Sequence, residues 1–99
     1  MKVRFHPKAR DELRRAHAWY EERSPLSAAA LAQEVDVAIS RLSEGPMQYA
    51  AAEHGTRRLV LPRFPFNIFY RVGATEVVIV AIAHHKRKPD YWTKRAEMG

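Results

Sequence analysis

Apolar and polar positions along the chain change rhythm several times, and each rhythm predicts an element. Lys2 to His6 alternates, with Val3 and Phe5 on one face, the period of a short strand. Pro7 then opens a helix near its first turn. Ala9, Leu13, Ala16 and Tyr20 recur at spacings of four, three and four, an apolar helical stripe, while Arg10, Asp11, Arg14, Glu21 and Glu22 fall largely outside it. Ser24-Pro25 signals a second helix, with Ser as N-cap and Pro at the first helical position. The stripe Leu31, Val35, Ala38 and Leu42 runs along that helix, and Gly45-Pro46 stops it. Two nearly contiguous helices predict an antiparallel hairpin.

Residues 46–55 read as a loop. Thr56 to Leu61 reads as a strand that Pro62 ends or marks as an edge. Phe66, Ile68, Tyr70 and Val72 alternate with Asn67, Phe69 and Arg71, Gly73-Ala74-Thr75 makes a turn, and Glu76 to His84 is apolar on both faces, as a central strand is. The order β-α-α-β-β-β predicts an α+β fold over a single domain, residues 1–99. In it a helical hairpin packs on one face of a mainly antiparallel four-stranded sheet.

With 46% apolar residues the chain has enough to fold, and with no cysteine it has neither disulfides nor zinc–thiolate sites. No apolar run reaches membrane-spanning length, and charges interrupt the N-terminus at once, so neither a membrane span nor a signal peptide is expected and the cytoplasm is the expected location. Charge is uneven. Residues 1–55 hold eight Lys and Arg against eight Asp and Glu; residues 56–99 hold nine against three, the whole net charge of +6. That asymmetry suggests an anionic partner for the C-terminal half, although a merely solvated surface has the same composition.

No metal or cofactor is expected. The five histidines form no HExxH motif, and His84 and His85, adjacent on a strand, point to opposite faces. No glycine-rich phosphate loop, GxSxG or paired-carboxylate signature is present. The basic residues form two groups instead. Pairing Leu61 near Phe66 sets Arg57 or Arg58 beside Arg71, like charges that a fold tolerates where solvent screens them or an anion binds. At the other end, Arg63 and Phe64 fall opposite His84 and His85, and Lys86, Arg87, Lys88, Tyr91 and Trp92 follow. Cations with interleaved rings suit single-stranded nucleic acid, while Trp92 equally suits a core cap that packs the tail back on the domain.

His84 or His85 is the candidate to deprotonate a ribose 2′-hydroxyl, with Arg87 holding the phosphate. A three-residue turn would place Arg71 on the face of His85, and a four-residue turn on that of His84. Either way seven or eight strand residues separate them, about 25 Å, which argues against one compact nuclease centre.

The segments Arg57-Arg58-Leu59, Phe64 to Val72 and Val77 to Trp92 resemble the RelE/ParE superfamily of toxins, most specifically in Tyr70-Arg71-Val72 and the His-x-Lys-Arg-x-Pro-x-Tyr-Trp ending. The resemblance covers nearly the whole chain. It implies the toxin of a type II toxin–antitoxin (plasmid stabilisation) system, held by a cognate acidic antitoxin in a hetero-complex. RelE-like members cut mRNA in the ribosome. By that resemblance Arg71 matches the strand arginine, Arg87 the arginine after the last strand, and Tyr91 approximately the catalytic tyrosine, at a shorter spacing; His84 and His85 complete that catalytic set. Arg57 and Arg58 stand where some RelE members carry a lysine pair. ParE-like members poison DNA gyrase without nuclease chemistry, and Phe64-Pro65-Phe66 and Pro89-Asp90-Tyr91-Trp92 are similar to that branch. A gyrase-binding toxin is therefore the expected function, with Arg57, Arg58, Arg63, Arg71, Lys86, Arg87 and Trp92 as its contact residues. A ribosome-dependent endoribonuclease and a non-toxic nucleic-acid-binding module are the alternatives.

Overall fold

Ser24 ends one helix and starts the next. Its N–H donates to the Tyr20 carbonyl at 2.7 Å, closing α1 (Pro7–Arg23), and its hydroxyl accepts from the Ser27 N–H at 3.2 Å, opening α2 (Pro25–Glu44). A one-residue link leaves the helices no room except to fold back on each other. The computed structural model describes residues 1–98; Gly99, the end of the basic tail, lies outside the described residues.

The hairpin covers one face of a sheet made of β1 (Lys2–Phe5), β2 (Ala50–Ala51), β3 (Arg57–Val60), β4 (Phe66–Val72) and β5 (Glu76–His84), in the order β1-β5-β4-β3-β2. Every member of the α2 stripe, Leu31, Val35, Ala38 and Leu42, is buried there with Ala9 and Ala16 of α1, against Leu59, Leu61, Phe66, Ile68, Tyr70, Val77, Ile79 and Ile82. The α+β architecture with a mainly antiparallel sheet is as expected, with one correction. The sheet has five strands rather than four, because Ala50–Ala51, in a stretch without alternation, pairs with Arg58 and Arg57 at the edge. β1 runs parallel to β5, with Val3 opposite Val77 and Phe5 opposite Ile79; the other pairings are antiparallel.

The opposite face of the sheet is covered too. The tail turns back and forms α3 (Thr93–Met98), which the sequence pattern did not predict. Trp92 and Ala96 lie on Phe69, Val78, Val80, Ala81 and Ala83, with the Trp92 ring stacked on Phe69 at 4.4 Å. Burial on two faces is why β5 is apolar throughout. A bulge between Phe69 and Tyr70 sets Phe69 opposite Ala81 and Tyr70 opposite Ile79. One extra residue on β5 moves everything beyond it to the other face.

Candidate functional site

The bulge decides where the candidate residues stand. Arg71 pairs with Val78, and Val72 with Val77 across a four-residue connection, which by simple alternation would put Arg71 on the face of His84. The extra residue reverses this. His84 pairs with Phe66 and packs edge-on to its ring at 5.2 Å on the helical-hairpin face, whereas Arg71 shares the α3 face with Val78. The two stand at opposite ends of the β4–β5 hairpin and on opposite faces.

The arginines of the first group are also divided. Arg57 pairs with Tyr70, and its Nη1 donates to the backbone carbonyls of Met47 (3.2 Å) and Tyr49 (2.7 Å), tying the 46–49 segment to the sheet. Tyr70 donates its hydroxyl to the Pro46 carbonyl on the same segment, and burial raises its pKa above the ordinary value. Arg58 pairs with Phe69 and is exposed on the other face. The expected Arg57–Arg58–Arg71 cluster is thus two residues, Arg58 and Arg71, on one face.

Arg63 leaves the histidines as well. Its Nε donates to Glu34 Oε2 at 2.6 Å and its N–H to Glu34 Oε1 at 3.2 Å, so the 62–65 connection turns toward the helical hairpin, tied to α2 through Glu34 and to α1 through Phe64, which meets Tyr20 edge-on at 5.1 Å. Only the His85 N–H continues the ladder, donating to the Pro65 carbonyl at 2.9 Å. Trp92 is 0% exposed, and its buried Nε1–H has no acceptor among the described residues, so no ring face is left for a target. His85, Lys86, Arg87 and Lys88 are exposed.

His84, Arg87 and Tyr91 do come together. They line a cavity of about 400 Å³ whose other wall is α1, through Glu12, Arg15, Ala16, Trp19 and Tyr20, and whose floor is Phe66 and Ile82. Its hub is Glu12. β1 ends at Phe5, opposite Ile79, so beyond that point β5 has no strand on its β1 side and pairs with β4 alone. Glu12 Oε1 accepts from the Ile82 N–H at 3.0 Å, and Arg95 donates to the Val80 carbonyl at 3.2 Å; side chains take the place of the missing strand. Arg95 also pairs with Glu12 Oε1 at 2.9 Å, both side chains about seven-eighths buried, at 13% and 15% exposure. Glu12 Oε2 accepts from the Tyr91 hydroxyl at 2.7 Å. Burial, then the bond to Glu12 and its charge, push the Tyr91 pKa well above the ordinary tyrosine value. The Arg87 guanidinium lies 4.0 Å over the Tyr91 ring. His84 Nδ1 accepts from the Lys86 N–H at 3.1 Å, which places the ring proton of neutral His84 on Nε2.

Sequence reasoning overlooked Glu12, Arg95 and Trp19. Glu12 had a visible mark: it stands three residues after Ala9 and four before Ala16, a carboxylate inside the apolar stripe. Trp19 is 51% exposed, with Arg23 over its ring at 3.8 Å. Among the described residues no group of three His, Asp or Glu side chains could hold a metal ion, and no helix is long and apolar enough to cross a membrane.

These features meet known proteins at one point. A family model described as the ParE toxin of a type II toxin–antitoxin system, parDE, matches residues 3–89. Among solved structures, a chain of the "Chromosomal ParDE TA system from P. aeruginosa" is similar at a TM-score of 0.74 and 26% identity, over 85% of this chain and 95% of that one. No curated protein sequence matches. With the match running from β1 past β5 into the basic tail, the chain belongs to the ParE toxin family of type II toxin–antitoxin systems.

Proposed function

We propose that this toxin works by binding rather than by bond cleavage, that its target is DNA gyrase, and that a cognate acidic antitoxin neutralises it. The observation that carries the reading is the separation of Arg71 from His84, at opposite ends and on opposite faces of the β4–β5 hairpin. A nuclease needs its phosphate-holding cation and its proton carrier around one point. The Tyr91 hydroxyl is in addition already donating to Glu12 and has a raised pKa, which makes it a poor proton carrier at neutral pH. Exposed Arg58, His85, Lys86, Arg87 and Lys88 suit a broad contact surface. The net +6 charge of residues 56–99 suits an acidic antitoxin segment, docked as an amphipathic helix or as an added strand at the sheet edge.

Purified toxin added to gyrase with relaxed DNA, and separately to ribosomes with mRNA, tests the reading. Loss of supercoiling with intact transcript is the expected result. Transcript cleavage in the ribosomal A site with gyrase unaffected would overturn it in favour of the ribonuclease reading, which one observation favours: His84, Arg87 and Tyr91 share a cavity. Antitoxin association should slow as salt is added, because long-range attraction sets the on-rate; a rate indifferent to salt would remove charge from the pairing.

A further inference from the structure

Three donors converge on the Glu12 carboxylate, a charge set inside the apolar stripe of α1 and only 15% exposed. The Ile82 N–H and Arg95 Nη1 share Oε1 at 3.0 Å and 2.9 Å, and the Tyr91 hydroxyl has Oε2 at 2.7 Å. A glutamine there has one acceptor oxygen and would aim an N–H at a donor, so the three bonds call for a carboxylate. The bond to Ile82 caps β5 where β1 ends, which is a task of the fold. The bond to Tyr91 does something else. It fixes the plane of a ring.

That ring carries Arg87, whose guanidinium lies 4.0 Å over it, and Arg95 meets the same ring at 5.1 Å. The turn that presents Arg87 is tied as well: the His84 carbonyl accepts from the Arg87 N–H at 3.0 Å, and His84 Nδ1 accepts from the Lys86 N–H at 3.1 Å. Arg87 is nevertheless exposed. Stacking occupies a face of its guanidinium and leaves the N–H edge, a rigid fork of donors. Arg4, Arg15, Arg23, Arg63 and Arg95 each meet a carboxylate, whereas Arg87 has none within ion-pair distance among the described residues. An exposed arginine ordinarily samples many rotamers, and freezing one of them on binding costs affinity. Here the ordering is done when the chain folds.

We propose that Glu12 is a positioning residue of the toxin: through the Tyr91 ring it holds Arg87 in the orientation in which that guanidinium contacts the target. The inference rests on Arg87 as a contact residue and not on which target is contacted. It gives Tyr91 a supporting part rather than a chemical one.

The test measures toxicity, stability and side-chain order on the same full-length variants, expressed without antitoxin. Toxicity is read as the intracellular toxin level that halves the growth rate, whatever the target. Arg87→Ala should raise that level about tenfold or more, and Arg87→Lys, which keeps the charge and loses the fork, nearly as much. Tyr91→Leu removes the ring and should match Arg87→Ala. Tyr91→Phe and Glu12→Gln keep the ring but loosen its tie, and each should raise the level about threefold. In the Arg87→Ala background these two changes should raise it no further, whereas the stability cost of Glu12→Gln in urea unfolding should be the same in both backgrounds. Val35→Ala, at a buried position of α2, should lower stability and leave the toxicity of the folded chain unchanged. In 15N relaxation Arg87 Nε should be more ordered than that of exposed Arg14, and should lose the difference in Tyr91→Leu. Unchanged toxicity in Arg87→Ala would remove the contact reading and this inference with it. If Arg87→Ala weakens toxicity but folded Tyr91→Phe and Glu12→Gln do not, positioning by Glu12 is overturned and the contact reading stands. The same follows if their effects multiply with that of Arg87→Ala, or if Arg87 Nε is as mobile as Arg14.

Discussion

The Glu12 carboxylate accepts the Tyr91 hydroxyl at 2.7 Å, joining the first helix to the C-terminal tail across 79 positions of sequence. Through the same carboxylate pass the Arg95 ion pair and the cap on the Ile82 N–H. Glu12→Ala leaves Arg95 largely buried without its partner and two donors without an acceptor. A loss of about 3 kcal/mol is expected in urea unfolding. Glu12→Gln keeps an acceptor and loses the charge, and its loss should be clearly smaller.

Trp92 belongs to the core, which separates its effect on stability from any effect on a target. Trp92→Ala removes the ring stacked on Phe69 and should cost about 4 kcal/mol. Trp92→Phe should cost less than about 1.5 kcal/mol, because the lost area is offset by removal of a buried N–H that has no acceptor among the described residues. Folded Trp92→Phe should retain its toxicity in a growth assay.

His6 makes stability depend on pH. Its Nδ1 caps α1 by accepting from the Lys8 N–H at 3.1 Å. Burial first, then the charges of Arg95, Lys8 and Arg4, lower its pKa below 6.5, against an opposing effect of Glu12. The unfolded chain therefore takes up the proton more readily than the folded one. This contribution is complete above the unfolded value and is lost as pH falls from about 6.5 through the folded pKa. His6→Asn keeps a capping side chain that does not titrate there, so its unfolding midpoint should vary less between about pH 7 and pH 5 than that of the wild type.

Arg71 and Arg87 should act independently on toxicity. The register places Val78, the partner of Arg71, and His84, the partner of Phe66, at opposite ends of the hairpin, roughly 17 Å apart for five residues of β4. Alanine at each should reduce toxicity by factors that multiply in the double variant, since sites this far apart couple weakly. Strong departure from the product would show that both touch one group on the target.

The helices and the main hairpin were legible because their signals are local. Leu31, Val35, Ala38 and Leu42 recur at helical spacing, Ser24-Pro25 carries its own cap, and β4 alternates; all are properties of neighbouring residues. Residues 50–51 and 93–98 carried no such rhythm, and their structure comes from what they pack against: β3 for Ala50–Ala51, and the far face of the sheet for Trp92 and Ala96.

The site divided along the same line. The sequence alone determined that His84, Arg87 and Tyr91 lie close along the chain at the end of a buried strand, and that the excess positive charge belongs to the C-terminal half. Only the tertiary structure decided which basic side chains remain available. Arg57 bonds the carbonyls of Met47 and Tyr49 and Arg63 bonds Glu34, pairings made across turns and helices that no spacing encodes. It also decided the face of each strand residue. β5 is apolar on both sides, so a bulge opposite Phe69 and Tyr70 leaves hydropathy unchanged while moving His84 away from the face of Arg71. Where both faces are buried, alternation loses its contrast, and the register is set by packing across the sheet.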